Sequence, residues 1–189
     1  LLRKAPGVMV DNNDNINVLG RAGVLLYVDG KRLPLTGADL TAGIDGCSAP
    51  TFRMPLAALA TGIARLANPA SLAPERAAAA RRITAAVGAN PNMIGGEQLR
   101  SDSDLIRATG GRVFAKLGAE GIFVCGVVGT GYGLCITVDD GNERAFNPLA
   151  LSLLLQHGQI NAKEFDALGE WTTLERRNAD GILGGEIVL

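Results

Sequence analysis

The chain has 189 residues, of which 47% are hydrophobic and 20% are charged, and its formal net charge at pH 7 is −1. These values are typical of one globular domain spanning 1–189, and they exclude the basic surface on which nucleic-acid binding depends. No apolar run approaches the length of a membrane-spanning helix. The three cysteines, Cys47, Cys125 and Cys135, are too few and too irregularly spaced for a disulfide framework, which predicts a cytoplasmic protein.

The first forty residues carry turn signals and few long apolar runs. Residues 11–17 are rich in asparagine and aspartate and predict a polar turn, although they lack the central glycine and terminal glutamate of a calcium-binding EF-hand loop. Between Val24 and Leu35 apolar and polar residues alternate around Asp29-Gly30, which predicts a β-hairpin.

The middle of the chain predicts three helices. A proline opens each of the first two, over Pro55–Ala67 and Pro74–Gly88, where its missing N–H costs nothing. In the first helix apolar residues recur at helical spacing on one face, at Leu56, Leu59, Ile63 and Leu66. The third helix is predicted over Asp102–Ala108, with Ser101 or Asp102 as its N-cap.

The pattern then changes from helical to alternating spacing. Three antiparallel strands are predicted over Arg112–Lys116, Gly121–Val128 and Leu134–Val138, followed by helices over Asn142–Gln156 and Lys163–Leu168. Gly129-Thr-Gly-Tyr-Gly predicts a hairpin loop; a nucleotide-binding loop is disfavoured, because no third glycine and no helix follow it. The predicted fold class is therefore α+β, with an antiparallel sheet flanked by helices.

Lys116 lies between two strongly apolar runs and has two interpretations. If its ammonium is desolvated in a cleft, its proton affinity falls and it can act as a base or proton shuttle. If instead its apolar stem covers the surface while the charge reaches water, it is an ordinary surface lysine beside a hairpin turn. The second interpretation is the more common one for a lysine in such a context.

Several motifs together resemble the type II asparaginase family of the Rhizobium etli kind. They are Asp45-Gly46-Cys47-Ser48-Ala49-Pro50-Thr51-Phe52, then Lys116-Leu117-Gly118-Ala119-Glu120-Gly121, Asn90 to Gly96, Val138 to Ala145, and Asn178 to Glu186. The resemblance covers residues 40–189, whereas residues 1–39 form a divergent segment. It implies a β-lactamase/glutaminase-like fold and hydrolysis of L-asparagine to L-aspartate and ammonia through a serine acyl-enzyme, with glutamine as the neighbouring substrate.

The resemblance also implies roles for individual residues. Lys116 would assist proton transfer, Glu120 and Gly118 would bind the substrate, Asp45 would orient a ligand or reacting group without contacting it, and Cys47 would be a zinc ligand. Each has a plainer alternative: a turn residue for Asp45, a hairpin tip for Glu120, and a small buried side chain for Cys47. No nucleotide cofactor is implied.

The sequence also departs from the family pattern. The expected serine nucleophile belongs to a Ser-x-x-Lys pair, and these 189 residues contain none; Ser48 stands where the family usually has glycine and has no lysine or histidine following at helical spacing. Leu1 to Gly7 resemble a degraded form of a Cys-Ser-Gly-Lys-His segment. We therefore expect a chain incomplete at its N-terminus, either a homodimer or a protein that docks with a missing segment. The alternative to an enzyme is an inactive, ligand- or partner-binding module.

Overall fold

The computed structural model describes residues 54–172 and 178–185 in full, and the backbone alone for residues 8–10, 16–18, 21–24, 27–28, 41–44, 50–53, 174–177 and 186–187. The helices are α1 (Leu56–Ala67), α2 (Pro74–Ala89), α3 (Asn92–Gly95), α4 (Ser101–Ala108), α5 (Phe146–Gln156), α6 (Ala162–Asp166) and α7 (Gly169–Thr172). Short 3-10 turns precede α2 at Pro69–Ser71 and α5 at Glu143–Ala145. In this part of the chain no helix is both long and apolar enough to cross a membrane.

The strands in the described part of the chain form four antiparallel sheets. They are β1 (Val8–Val10), β2 (Ile16–Val18), β3 (Arg21–Val24), β4 (Tyr27–Val28), β5 (Thr41–Ile44), β6 (Pro50–Arg53), β7 (Val113–Gly118), β8 (Ile122–Val127), β9 (Tyr132–Thr137), β10 (Leu174–Arg177) and β11 (Leu183–Ile187). The central sheet has the order β4-β9-β8-β7, and the others are β1-β2-β3, β5-β6 and β10-β11. The predicted α+β class with an antiparallel sheet and flanking helices is confirmed.

The main core lies between one face of the central sheet and α5. Strand alternation puts every second side chain of β7, β8 and β9 on this face. Phe123 stacks on Phe146 of α5, with ring centroids 5.6 Å apart. The other buried members of this core include Val113, Cys125, Leu134, Ile136 and Leu154. The apolar run that predicted a helix after residue 142 is therefore buried, because it covers the sheet; its regular α-helix begins only at Phe146.

The opposite face of the sheet packs against α1 through small residues. The helix buries Ala57, Ala58, Ala60, Ala64 and Ala67, whereas the predicted leucine and isoleucine stripe is only partly buried. At Gly133 of β9 an added Cβ would lie 2.4 Å from the Ala60 carbonyl oxygen and 2.6 Å from the Ala64 nitrogen. The absence of a side chain therefore permits this close approach of helix to sheet.

Most predicted elements in the described region are confirmed, with shifted ends. Helices α1 and α2 match their predictions within a residue, and β7 extends two residues beyond the predicted end at Lys116. The loop between β8 and β9 is a hairpin in which Gly129 and Gly131 have positive φ values of 84° and 76°. His157 is the C-cap residue of α5.

Two predictions need correction. The N-cap of α4 is Arg100, with no side-chain cap, because the Asp102 carboxylate is used elsewhere. The predicted polar turn over 11–17 ends earlier, since Ile16 and Asn17 belong to β2, which pairs with β1; residues 11–15 lie outside the described residues. The predicted turn at Asp29-Gly30 also lies outside them, while β4 just before it pairs with β9.

Candidate functional site

The candidate site lies along the outer edge of β7, which α4 covers. In an antiparallel ladder alternate N–H groups point away from the partner strand. On β7 these include Val113 N, which donates to Thr109 Oγ1 at 3.2 Å, and Leu117 N, which donates to Asp102 Oδ2 at 3.1 Å. The side chains of Asp102 in α4 and of its C-cap Thr109 thus accept hydrogen bonds from N–H groups of a sheet edge that would otherwise be open to pairing with another strand.

Asp102 is the buried charge of this site. Its side chain has no exposed surface, and its carboxylate accepts hydrogen bonds from Ser103 N at 3.0 Å, Leu117 N at 3.1 Å and Arg100 Nη2 at 3.2 Å. Burial raises the pKa of this carboxyl, but the hydrogen bonds from Arg100, Leu117 and Ser103 outweigh that effect, so the pKa lies below the ordinary value of 3.8. Asp102 is therefore a carboxylate at neutral pH.

Lys116 reaches the same carboxylate from β7. Its Nζ lies 3.7 Å from Asp102 Oδ2 and donates a hydrogen bond to the Leu117 carbonyl oxygen at 2.7 Å. The side chain is 52% exposed, so the ammonium remains open to solvent and to a ligand. In this geometry Lys116 is a hydrogen-bond donor held beside a fixed negative charge.

A close backbone approach at Gly95 shapes the other side of the site. A Cβ added at Gly95 would lie 2.2 Å from Asp102 Oδ1 and 2.9 Å from Arg100 Nε. Any larger residue would therefore displace the Arg100–Asp102 pair. Gly95 ends α3, a single turn that leads into the loop before α4.

Polar contacts fasten α3 and its loop to α4. Ser103 Oγ donates to the Pro91 carbonyl oxygen at 3.0 Å, and Arg107 donates to Asn92 Oδ1 and pairs with Asp104. Asp104 also accepts a hydrogen bond from Trp171 Nε1 at 2.9 Å. Thus the two acidic residues in the first turn of α4 have different partners: Asp102 faces β7, while Asp104 faces α7.

Gly118 and Glu120 lie at the end of the same hairpin. Gly118 pairs with Ile122, and Glu120 is an exposed residue of the three-residue loop with a positive φ of 58°. At Gly121 an added Cβ would lie 3.0 Å from the Gly141 carbonyl carbon, so this loop packs on the turn that follows β9. The structure thus places Glu120 at the tip of the hairpin whose first strand carries Lys116. The substrate-binding roles of Glu120 and Gly118 stay predictions.

The remaining predicted site residues, Asp45 and Cys47, lie outside the described residues. Within the described ranges, no group of three or more histidine, cysteine, aspartate or glutamate side chains is placed to hold a metal ion. Cys125 and Cys135 are buried, and burial raises the pKa of the Cys135 thiol to about 12. Neither thiol is therefore a thiolate at neutral pH.

Sequence reasoning missed the part played by Arg100 and Asp102. Asp102 resembled an ordinary helix cap and Arg100 carried no motif, because a contact between α4 and β7 joins residues 15 positions apart in the chain. Ser101, between them, has a buried hydroxyl with no hydrogen-bond partner among the described residues. The only sequence signal was the Gly95-Gly96 pair, which indicates a close backbone approach without saying what approaches.

Comparison with known families defines the class of protein to which this site belongs. The family model for L-asparaginase II matches residues 31–189, so the chain belongs to the L-asparaginase II family. The match begins somewhat earlier than the resemblance predicted from the motifs. No curated protein matches the chain significantly. Membership supports a general role as an asparagine amidohydrolase, a hydrolase that acts on a small molecule.

Proposed function

We propose that the protein hydrolyses the side-chain amide of L-asparagine, giving L-aspartate and ammonia. The observation that carries the proposal is the family match, which spans α1 through β11 and includes the whole β7 edge. The geometry at that edge supports it, because Lys116 presents a half-exposed ammonium beside a buried carboxylate. Such a donor can deliver a proton to an amide nitrogen as the C–N bond breaks.

The proposed mechanism has two steps. The family resemblance implies a serine nucleophile, which no Ser-x-x-Lys pair assigns to a particular residue of this sequence. Its hydroxyl attacks the amide carbonyl and loses its proton, the C–N bond breaks, and the departing nitrogen gains a proton and leaves as ammonia. Water then attacks the resulting ester, which releases aspartate and restores the hydroxyl. Lys116 would relay protons in both steps, while Glu120 and Gly118 would contact the amino-acid end of the substrate.

The stretch Ala115–Gly118 is a poor source of oxyanion donors in this arrangement. The Leu117 N–H already donates to Asp102, and alternation directs the N–H groups of Lys116 and Gly118 towards β8. Ala115 points to the outer edge but is 2% exposed. The proposal therefore takes the donors that stabilise the tetrahedral oxyanion from another part of the protein.

Zinc binding at Cys47 is a separate proposal that rests on the family resemblance. A structural zinc site needs about four ligands, and a single thiolate supplies one. No step of the proposed reaction depends on the metal. Measurement of bound zinc in the purified chain and in Cys47→Ser would test it, with equal zinc content in both counting against Cys47 as a ligand.

A second candidate function is a binding module without catalysis, which the missing Ser-x-x-Lys pair favours. Association with a second copy or another segment is part of this candidate. The side chains of Met93 in α3 and Leu99 in the loop before α4 are 84% and 78% exposed and would suit such a contact. Light scattering after size exclusion would test it, and a monomer at all concentrations would count against a homodimer.

The experiment that tests the enzymatic proposal is product release from L-asparagine and L-glutamine by the purified chain, with ammonia and the amino-acid product both quantified. We expect stoichiometric ammonia and aspartate from asparagine. Since one methylene separates the two substrates, we expect the asparagine preference to be about 10–200-fold. No product from either substrate by a folded chain would favour the binding module.

A further inference from the structure

The Asp102 carboxylate connects four groups from two elements of the fold. Its Oδ2 lies 3.1 Å from Leu117 N, 3.2 Å from Arg100 Nη2 and 3.7 Å from Lys116 Nζ. Its Oδ1 accepts from Ser103 N at 3.0 Å and from Arg100 Nε at 3.4 Å. One buried carboxylate therefore binds the start of α4, the edge of β7 and two cations.

This carboxylate is fixed, whereas its cationic partners are not. A backbone N–H group of α4 holds one of its oxygens and a backbone N–H group of β7 holds the other, and Oδ1 lies in the space that a Cβ at Gly95 would occupy. The side chain of Lys116 is half-exposed and long, and ordering such a chain costs conformational entropy. A fixed opposite charge within 4 Å reduces the range of positions that the ammonium occupies.

We propose that Asp102 is a positioning residue that holds the Lys116 ammonium at the β7 edge for amide hydrolysis, an inference that rests on the proposed function. Asp102 has no exposed surface with which to reach a bound substrate, so its proposed effect is transmitted through Lys116. Misplacement of a catalytic group by about 1 Å can cost about 100-fold in rate. Loss of Asp102 should therefore lower kcat more than it raises KM.

The first test is independent of activity. The chain contains four lysines, Lys4, Lys31, Lys116 and Lys163. In protein labelled with ¹⁵N-lysine, NMR of the ammonium groups reports each one, and loss of a signal in Lys116→Arg identifies that of Lys116. We expect Asp102→Asn to shift or broaden this signal. The matched control is Asp104→Asn, because Asp104 lies in the same helical turn but pairs with Arg107 and Trp171. An unchanged Lys116 signal in Asp102→Asn would overturn the proposal.

The second test is kinetic. With asparagine, Asp102→Asn should lower kcat by about 10–100-fold, while KM changes little and Asp104→Asn stays near wild type. A kcat in Asp102→Asn equal to that of the Asp104→Asn control would overturn the positioning role even if the NMR signal moves. If the wild-type chain hydrolyses neither amide, the proposed function fails, but the NMR comparison still decides whether Asp102 holds Lys116.

A further variant covers the case in which Asp102→Asn does not fold. Arg100 is 36% exposed, so Arg100→Gln should leave the fold intact while removing one of the two cations on Asp102. The Lys116 ammonium should then bind the carboxylate more closely, and its NMR signal should move. If that signal does not move in a folded Arg100→Gln variant, the result would contradict the claim that Arg100 and Lys116 share the Asp102 carboxylate.

Discussion

The two faces of the central sheet are built in different ways. The face towards α5 is filled by large side chains such as Phe123, Phe146 and Leu154, all less than 2% exposed. The face towards α1 depends on small residues that let backbones meet, as at Gly133 and Ala64. The β7 edge also depends on a glycine, because the missing side chain of Gly95 makes room for the Asp102 carboxylate. The first region is stabilised by buried apolar volume, and the second by close approach and a buried charge.

The difference indicates which region bears on function. Side-chain volume can be redistributed among neighbours, whereas at Gly133 an added Cβ would meet backbone atoms of α1 that cannot move aside separately. At Gly95 the atoms met belong to the side chains of Asp102 and Arg100, so a larger residue there would displace that ion pair. Strand alternation places Lys116 on the face of the sheet that packs against α1. This arrangement suits a site in which Lys116 must be held in one position.

The largest expected loss of stability comes from a substitution in the core between the sheet and α5. Phe123→Ala removes a fully buried ring that stacks on Phe146, so it should lower the free energy of unfolding by about 3–5 kcal/mol. Urea denaturation followed by circular dichroism measures this. The adjacent Ile122 is 36% exposed, and Ile122→Ala should cost much less; equal losses in the two variants would contradict the assigned core.

The next largest loss of stability is expected from a steric clash between the sheet and α1. Gly133→Ala places a Cβ against the backbone of α1, and we expect a loss of about 1–3 kcal/mol or more in the free energy of unfolding. The control is Gly169→Ala, where nothing lies within 4 Å of the added Cβ. Comparable stability of the two variants would mean that α1 does not approach β9 as described.

A smaller effect should appear with pH at the β7 edge. Because the folded state lowers the pKa of Asp102, its contribution is present above the ordinary value near 3.8 and is lost as the pH falls through the lower folded pKa. Asp102→Asn should therefore be less stable than wild type at pH 7 by about 1–3 kcal/mol, the usual cost of leaving a buried hydrogen-bonding group without its partner. The gap should narrow in acid. Urea midpoints from pH 7 down to pH 3 measure it, and a constant gap would contradict the assigned carboxylate.

The smallest expected effect is a gain in stability from a substitution in α1. Gly62 lies in α1, and a Cβ added there meets nothing within 4 Å. Gly62→Ala should therefore raise the free energy of unfolding by about 0.5–1 kcal/mol, since glycine in a helix interior is unfavourable relative to alanine. Thermal melting gives the sign, and a lower melting temperature would show that this position of α1 is closer to the sheet than described.

Local pattern was enough to predict α1, α2 and the three long strands, because each depends on spacing within a few residues. The packing of α1 was not predicted, since its apolar stripe of leucines indicated a buried face, whereas the helix meets Gly133 through alanines. Lys116 was predicted as a site residue from its motif, but its partner Asp102 was not, because that contact depends on how α4 lies along β7. Contacts between residues distant in the chain could therefore not be predicted, although the elements that carry them could.

The most direct measurement is aspartate formation from saturating L-asparagine by the wild-type chain, Lys116→Ala and the control Lys163→Ala, with each variant shown to be folded. Lys163 is an exposed residue of α6, far in sequence from β7. The account predicts that Lys116→Ala loses about 10²–10⁴-fold in kcat while Lys163→Ala keeps the wild-type rate. A Lys116→Ala variant with the wild-type rate would contradict the central claim that this lysine at the β7 edge assists amide hydrolysis.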